Sequence, residues 1–166
     1  YTAPASVEAF PSSLVAEAIG QLAAWAAMAA TDFQRRPVAG LAGAIEPLAP
    51  AIPGAVLDLA VDLESMDGDA LAYGGTARID GVPVLRLRHC VGPMVPVKDF
   101  DDPEAVRLRF DLLRGPGATP GAFAGLPPLP LSAAGGARGQ SARARLPVPA
   151  SAGVFGGHFP RRPVVA

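Results

Sequence analysis

Two side chains at opposite ends of the sequence carry the strongest suggestion of chemistry. His158 lies in Gly156-Gly157-His158-Phe159-Pro160, where two glycines leave backbone N–H groups accessible beside an imidazole. An imidazole with an unperturbed pKa near ~6.5 is available as a neutral base close to working pH. Glu17 lies in PSSLVAEAIGQLAAWAAMAA, residues 11–30, which is apolar on nearly every side. Gln21 follows Glu17 by one helical turn, so the two polar groups share one spot. A helix apolar all round is normally buried, and a carboxylate there is costly unless it is paired or has a task. Burial would push its pKa up, leaving it able to hold and donate a proton. A neutral base and a protonated acid are together the parts of general acid–base catalysis.

The remaining candidates are weaker. His89-Cys90 could suggest a nucleophile pair, but adjacent residues of a strand point to opposite faces, which favours a structural role. Arg35-Arg36 and Arg161-Arg162 read as solvated turn residues. No metal-ligand cluster and no phosphate-binding loop motif is present, so no metal or other cofactor is expected.

Composition sets outer limits. The chain has 166 residues, enough for one domain, or one and part of another, with a proper core. Its formal net charge is −1 with 17% charged residues, so nothing argues for a nucleic-acid partner. The 19 glycines and 19 prolines raise loop content, but 50% hydrophobic residues argue against disorder. One cysteine, Cys90, excludes an intrachain disulfide and a cysteine-based zinc site, which fits a reducing cytoplasm. No basic residue precedes Arg35, so a secretory n-region is not expected. The run Leu14–Ala30 is short for a membrane span, rich in alanine and carries Glu17 and Gln21, which favours a buried helix over a membrane segment.

The elements that would position these residues follow in order. Tyr1–Phe10 reads as an extended lead-in, with Pro11 as a helix start and Ser12 or Ser13 as its cap. Asp32 ends the helical pattern, and Gln34-Arg35-Arg36-Pro37 reads as a polar break. Val38–Ile45 is small and apolar, as expected of a buried strand. In AVLDLAVDLESM, residues 55–66, Val56, Asp58, Ala60, Asp62 and Glu64 alternate with Leu57, Leu59, Val61, Leu63 and Ser65, predicting a strand with one face wet. Asp67-Gly68-Asp69 marks a turn, Ala70–Ile79 a second strand with a possible bulge at Gly74-Gly75, and Asp80-Gly81 a hairpin turn into Val84–Arg88. Pro103–Leu113 reads as a short amphipathic helix with Val106, Phe110 and Leu113 on its apolar side. The segment 115–136 reads as a linker or a loosely wrapped loop, and SARARLPVPA, residues 141–150, as strand-like. A helix followed by antiparallel strands joined by short turns predicts an α+β protein.

Residues 157–165, GHFPRRPVV, resemble the G-H-F-P-x-x-P-V signature of the hot-dog-fold 3-hydroxyacyl-[acyl-carrier-protein] dehydratases. That family follows the signature with P-G-x-L-x-x-(E/D)-A-x-x-Q on its central helix. Pro11, Leu14, Glu17, Ala18 and Gln21 match that second half in register, with Ser12 in place of the usual glycine. The resemblance implies a hot-dog fold, an antiparallel sheet wrapped around a long central helix. It implies His158 as base, Glu17 as acid, and Gln21 as a partner positioning Glu17. Gly157, Phe159, Pro163, Ser12 and Ser13 would contact substrate.

The order of the motifs is inverted, since the family places the histidine segment before the helix. This leaves a tandem double hot dog or a rearranged single one. The expected organisation is a hot-dog domain over residues 1–100, a linker with a short helix over 101–136, and a second-copy or permuted histidine segment over 137–166. The family pairs the histidine of one hot dog with the acid of another, which implies a homodimer or an intrachain pair. The implied activity is dehydration of 3-hydroxyacyl thioesters carried by acyl carrier protein or coenzyme A, in the cytoplasm, with Arg161-Arg162 as a possible carrier contact. The alternatives are a hot-dog thioesterase or enoyl hydratase, and a non-catalytic acyl-binding domain.

Overall fold

The computed structural model describes residues 9–52 and 54–115, and the backbone of 132–135 and 143–145. Contacts divide the chain after Phe110 into two units.

The first unit is α+β, with a curled antiparallel sheet around a helix-containing region. Helix α1 spans Ser12–Ala30, 19 residues. Val15, Ile19, Ala23 and Ala27, spaced four apart, form a buried stripe along it. Pro11 occupies the N-cap position with no side-chain cap, so neither Ser12 nor Ser13 caps the helix as the sequence suggested. At the other end, the Thr31 hydroxyl donates to the carbonyls of Ala27 and Met28. Asp32 and Phe33 then take positive φ of 51° and 59°, turning the chain sharply into the sheet. By length and composition α1 would be able to cross a membrane, its best window averaging 1.3 in hydropathy. Here its stripe packs on the sheet.

The strands are β1 (Arg35–Pro37), β2 (Leu41–Pro47), β3 (Asp58–Met66), β4 (Ala70–Ile79) and β5 (Val82–Pro96). All pairings are antiparallel, in the order β1-β5-β4-β3, with β2 also on β5. The long β5 carries both β1 and β2. Between them the chain crosses so closely that a Cβ on Gly40 would stand 2.1 Å from the Val91 carbonyl oxygen, and one on Gly92 would stand 2.5 Å from that of Val38. Gln34–Pro37, expected as a polar break, therefore contains a strand. Arg35 is held there by hydrogen bonds from its guanidinium to the carbonyls of Gly68 and Met94.

Along β3, Asp58, Ala60, Asp62 and Glu64 are exposed while Leu59, Val61 and Leu63 are half-buried, as the alternation predicts. Strand β4 has the predicted bounds, and its register with β5 shifts between Tyr73 and Gly75 at the predicted bulge. Asp80 and Gly81 both have positive φ, 49° and 79°, which suits a two-residue hairpin turn. Strand β2 departs from expectation: Leu41 is 80% and Ile45 53% exposed. The reason is position, since α1 packs chiefly on β1, β3, β4 and β5.

One core cluster joins Val15 and Ile19 to Ala77, Leu85, Leu87 and Cys90, and a smaller one joins Ala27 to Leu71 and Met94. A third, of Met28, Phe33, Val97 and Val106, seats the start of α2 (Pro103–Arg114). Phe110 packs there against Trp25 and Phe33. Leu113, expected on the apolar side of this helix, is instead 47% exposed. In the second unit, β6 (Ser132–Gly135) pairs antiparallel with β7 (Arg143–Arg145). Strand β6 falls in the stretch read as linker, and β7 in the stretch read as strand-like.

Candidate functional site

The sequence motif on α1 yields a defined local arrangement. Gln21 Nε2 donates to Glu17 Oε1 at 3.0 Å, so the two side chains meet as their spacing requires. The expected burial of Glu17 is not found. Glu17 and Gln21 are both exposed, as are Ser12, Ser13 and Leu14, and the buried stripe lies on the other side of the helix. The reason is that a helix rich in alanine on every side can bury only the face toward the sheet. Val15 and Ile19, not Glu17, occupy that face. The other expected site residues, Gly157, His158, Phe159 and Pro163, lie outside the described residues, as does the Arg161-Arg162 pair.

Beneath this face of α1 is a polar group that the sequence reading passed over. Tyr73 of β4 and Cys90 of β5 are direct cross-strand partners, close enough for each to affect the ionisation of the other, and the Cys90 thiol donates to the Arg88 carbonyl at 3.9 Å. Burial pushes the Tyr73 phenol up to about 12, with further contributions from Cys90 and then from the Glu17 carboxylate. Burial likewise pushes the Cys90 thiol up, while the Tyr73 hydroxyl opposes this. A Cβ on Gly20 would stand 3.2 Å from the Tyr73 hydroxyl oxygen. The sequence signal for this contact is a glycine inside a helix, a position where glycine costs about 1 kcal/mol relative to alanine.

The face of the sheet that bears the β3 carboxylates holds a second polar feature. A shallow groove of about 390 Å³ is lined by residues that include Asp62, Glu64, Thr76, Arg86, Arg88 and His89. His89 has φ of 50°, where β5 bulges against β4, and its side chain is 80% exposed. Its Nδ1 lies 3.6 Å from Glu64 Oε2. Arg86 and Arg88 both reach Glu46, at 3.6 and 3.0 Å. Cys90, the next residue, is buried, so the two neighbours do point to opposite faces. The groove mixes both signs of charge and includes none of the expected site residues. Among the described residues, no group of three or more His, Cys, Asp or Glu side chains is arranged to hold a metal ion.

The Arg35-Arg36 pair is not the solvated turn expected. Both residues are half-buried, and desolvation lowers the Arg36 pKa against the opposing pull of Asp101. Asp101, 5% exposed, also lies 3.6 Å from Arg109. Asp101 thus feels a positive charge from Arg36 on β1 and from Arg109 in the helix that follows it.

No protein-family model, curated protein or solved structure matches this chain.

Proposed function

We propose that this chain is a hot-dog dehydratase of 3-hydroxyacyl thioesters, with Glu17 as acid and His158 as base. The observation that carries the reading is the Glu17–Gln21 pair, hydrogen-bonded at 3.0 Å on a 19-residue helix that lies against an antiparallel sheet. In the reaction, the His158 imidazole takes the proton from the carbon next to the thioester carbonyl. The released electron pair forms the new carbon–carbon double bond, and the hydroxyl leaves with a proton from Glu17 as water. Backbone N–H groups at Gly156-Gly157 polarise the thioester oxygen. Acid–base chemistry accounts for every step, so the reading calls for no metal and no redox cofactor.

The exposure of Glu17 bears on assembly. A carboxylate in water is a poor store for a proton at neutral pH, and one covered by an apolar neighbour is a better one. The reading therefore includes a second hot-dog unit, from a homodimer or a tandem chain, that covers the Leu14–Glu17–Gln21 face. The substrate is an acyl chain on acyl carrier protein or coenzyme A, and the setting is the cytoplasm. The same exposure favours one rival, a non-catalytic acyl-binding domain in which Glu17 is a solvated surface residue.

Exchange of the substrate α-hydrogen in heavy water, read by mass spectrometry, separates the two. A dehydratase exchanges it, and His158→Ala abolishes exchange while binding persists. Binding of the thioester with no exchange by the unaltered chain would replace the enzyme reading with the acyl-binding one.

A further inference from the structure

We infer that Tyr73 is a positioning residue for Glu17, its hydroxyl reaching the Glu17–Gln21 face of α1 through the gap at Gly20. The inference rests on the reading of Glu17 as the acid of the site. Glu17, Gly20 and Gln21 stand at i, i+3 and i+4, so they share one face of the helix. Outside the adjoining backbone of α1 itself, the Tyr73 hydroxyl is what a Cβ on Gly20 would meet, at 3.2 Å. An alanine there would crowd the hydroxyl, and any larger side chain would separate it from Glu17. The ring itself packs with two of the core clusters. A phenylalanine would fill that space equally well, so the polar tip calls for a use of its own.

Its chemistry suits that use. A phenol both donates and accepts, so it can accept from a protonated Glu17 and donate to the carboxylate. The Gln21 amide, donating to Oε1, favours only the ionised or carbonyl oxygen. Held by both, Glu17 would keep one orientation through a cycle in which it loses and regains its proton. Cys90 stands beside the phenol on the sheet side, since the two are cross-strand partners. The contribution of Glu17 to the raised Tyr73 pKa agrees with this proximity.

Two readouts test it. The chain has two tyrosines, so Tyr1→Phe leaves Tyr73 alone for an ultraviolet titration of its phenol. Incorporated fluorotyrosine, which ionises at lower pH, keeps the titration where circular dichroism shows the fold intact. Glu17→Gln should lower the Tyr73 midpoint, because a neighbouring negative charge is removed. An unmoved midpoint in a folded variant would overturn the inference. Second, Tyr73→Phe should lower kcat for dehydration about tenfold or more, leave KM within about twofold, and shift the limb of the pH–rate profile that reports Glu17. Full kcat with an unchanged profile would also overturn it. If the unaltered chain dehydrates nothing, the enzyme reading fails by itself, and the titration still decides whether Tyr73 and Glu17 face each other.

Discussion

One close approach between α1 and β4 can be perturbed from either side. A Cβ on Gly75 would stand 2.4 Å from Ile19 Cγ2, 2.9 Å from the Ala60 carbonyl oxygen and 3.2 Å from Val61 Cγ1. Ile19 is fully buried and is among the largest such side chains of the unit. Gly75→Ala therefore overpacks the contact, at a cost of about 1–3 kcal/mol. Ile19→Ala empties it, at a cost of about 2–5 kcal/mol from lost burial and the cavity left behind. The double variant places a methyl in the space that Ile19 vacates, so the two costs should not add. We expect the pair to cost less than the sum of the singles by at least ~1 kcal/mol. It should still be less stable than the parent, because the Ala60 oxygen belongs to the backbone and cannot move aside cheaply. Urea unfolding followed by the fluorescence of the single tryptophan, Trp25, measures all four proteins, with a constant slope as the check that only stability changed. Additivity within ~0.5 kcal/mol would refute the contact.

Other expectations follow from single groups. The Cys90 thiol, 3% exposed and pushed up by burial, should react with an aromatic disulfide reagent far more slowly in the folded chain than in urea; equal rates would show an open site. Asp67 accepts hydrogen bonds from the backbone N–H groups of Asp69 and Ala70, which hold its carboxyl below the usual range. Because the folded-state value is the lower one, the stabilisation is present above the unfolded value near ~3.9 and is lost as pH falls through the folded value. Asp67→Ala should thus be less stable than the parent at neutral pH, and the gap should close in acid; a gap independent of pH would count against the turn.

Much of the sheet was legible because its signals are local. The alternation of β3, the bounds of β4 and the Asp80-Gly81 turn each depend on residues within one hairpin. What failed was tertiary. An alanine-rich helix does not announce which face it will bury, so Glu17 was expected inside and is found outside. Strand β2 is apolar in composition, yet lies off the part of the sheet that α1 chiefly covers. Gln34–Pro37 carries no strand pattern, and β1 forms because β5 is long enough to pair with it beyond β2. The site was legible only as far as the Glu17–Gln21 spacing. Tyr73 becomes visible once β4 is laid beneath Gly20, a contact between residues far apart in the chain. The positive φ of His89 depends on a register shift that no residue type there demands.

The most direct measurement of the central claim is the rate at which this chain converts a 3-hydroxyacyl thioester to the conjugated enoyl thioester, followed by absorbance, alongside Glu17→Gln. The substitution keeps the shape of an exposed side chain and its contact with Gln21, and removes the proton donor. The account predicts measurable turnover by the parent and a loss of ~10²-fold or more in the variant, with unfolding curves unchanged. No turnover by the parent, or equal turnover by both, would contradict it.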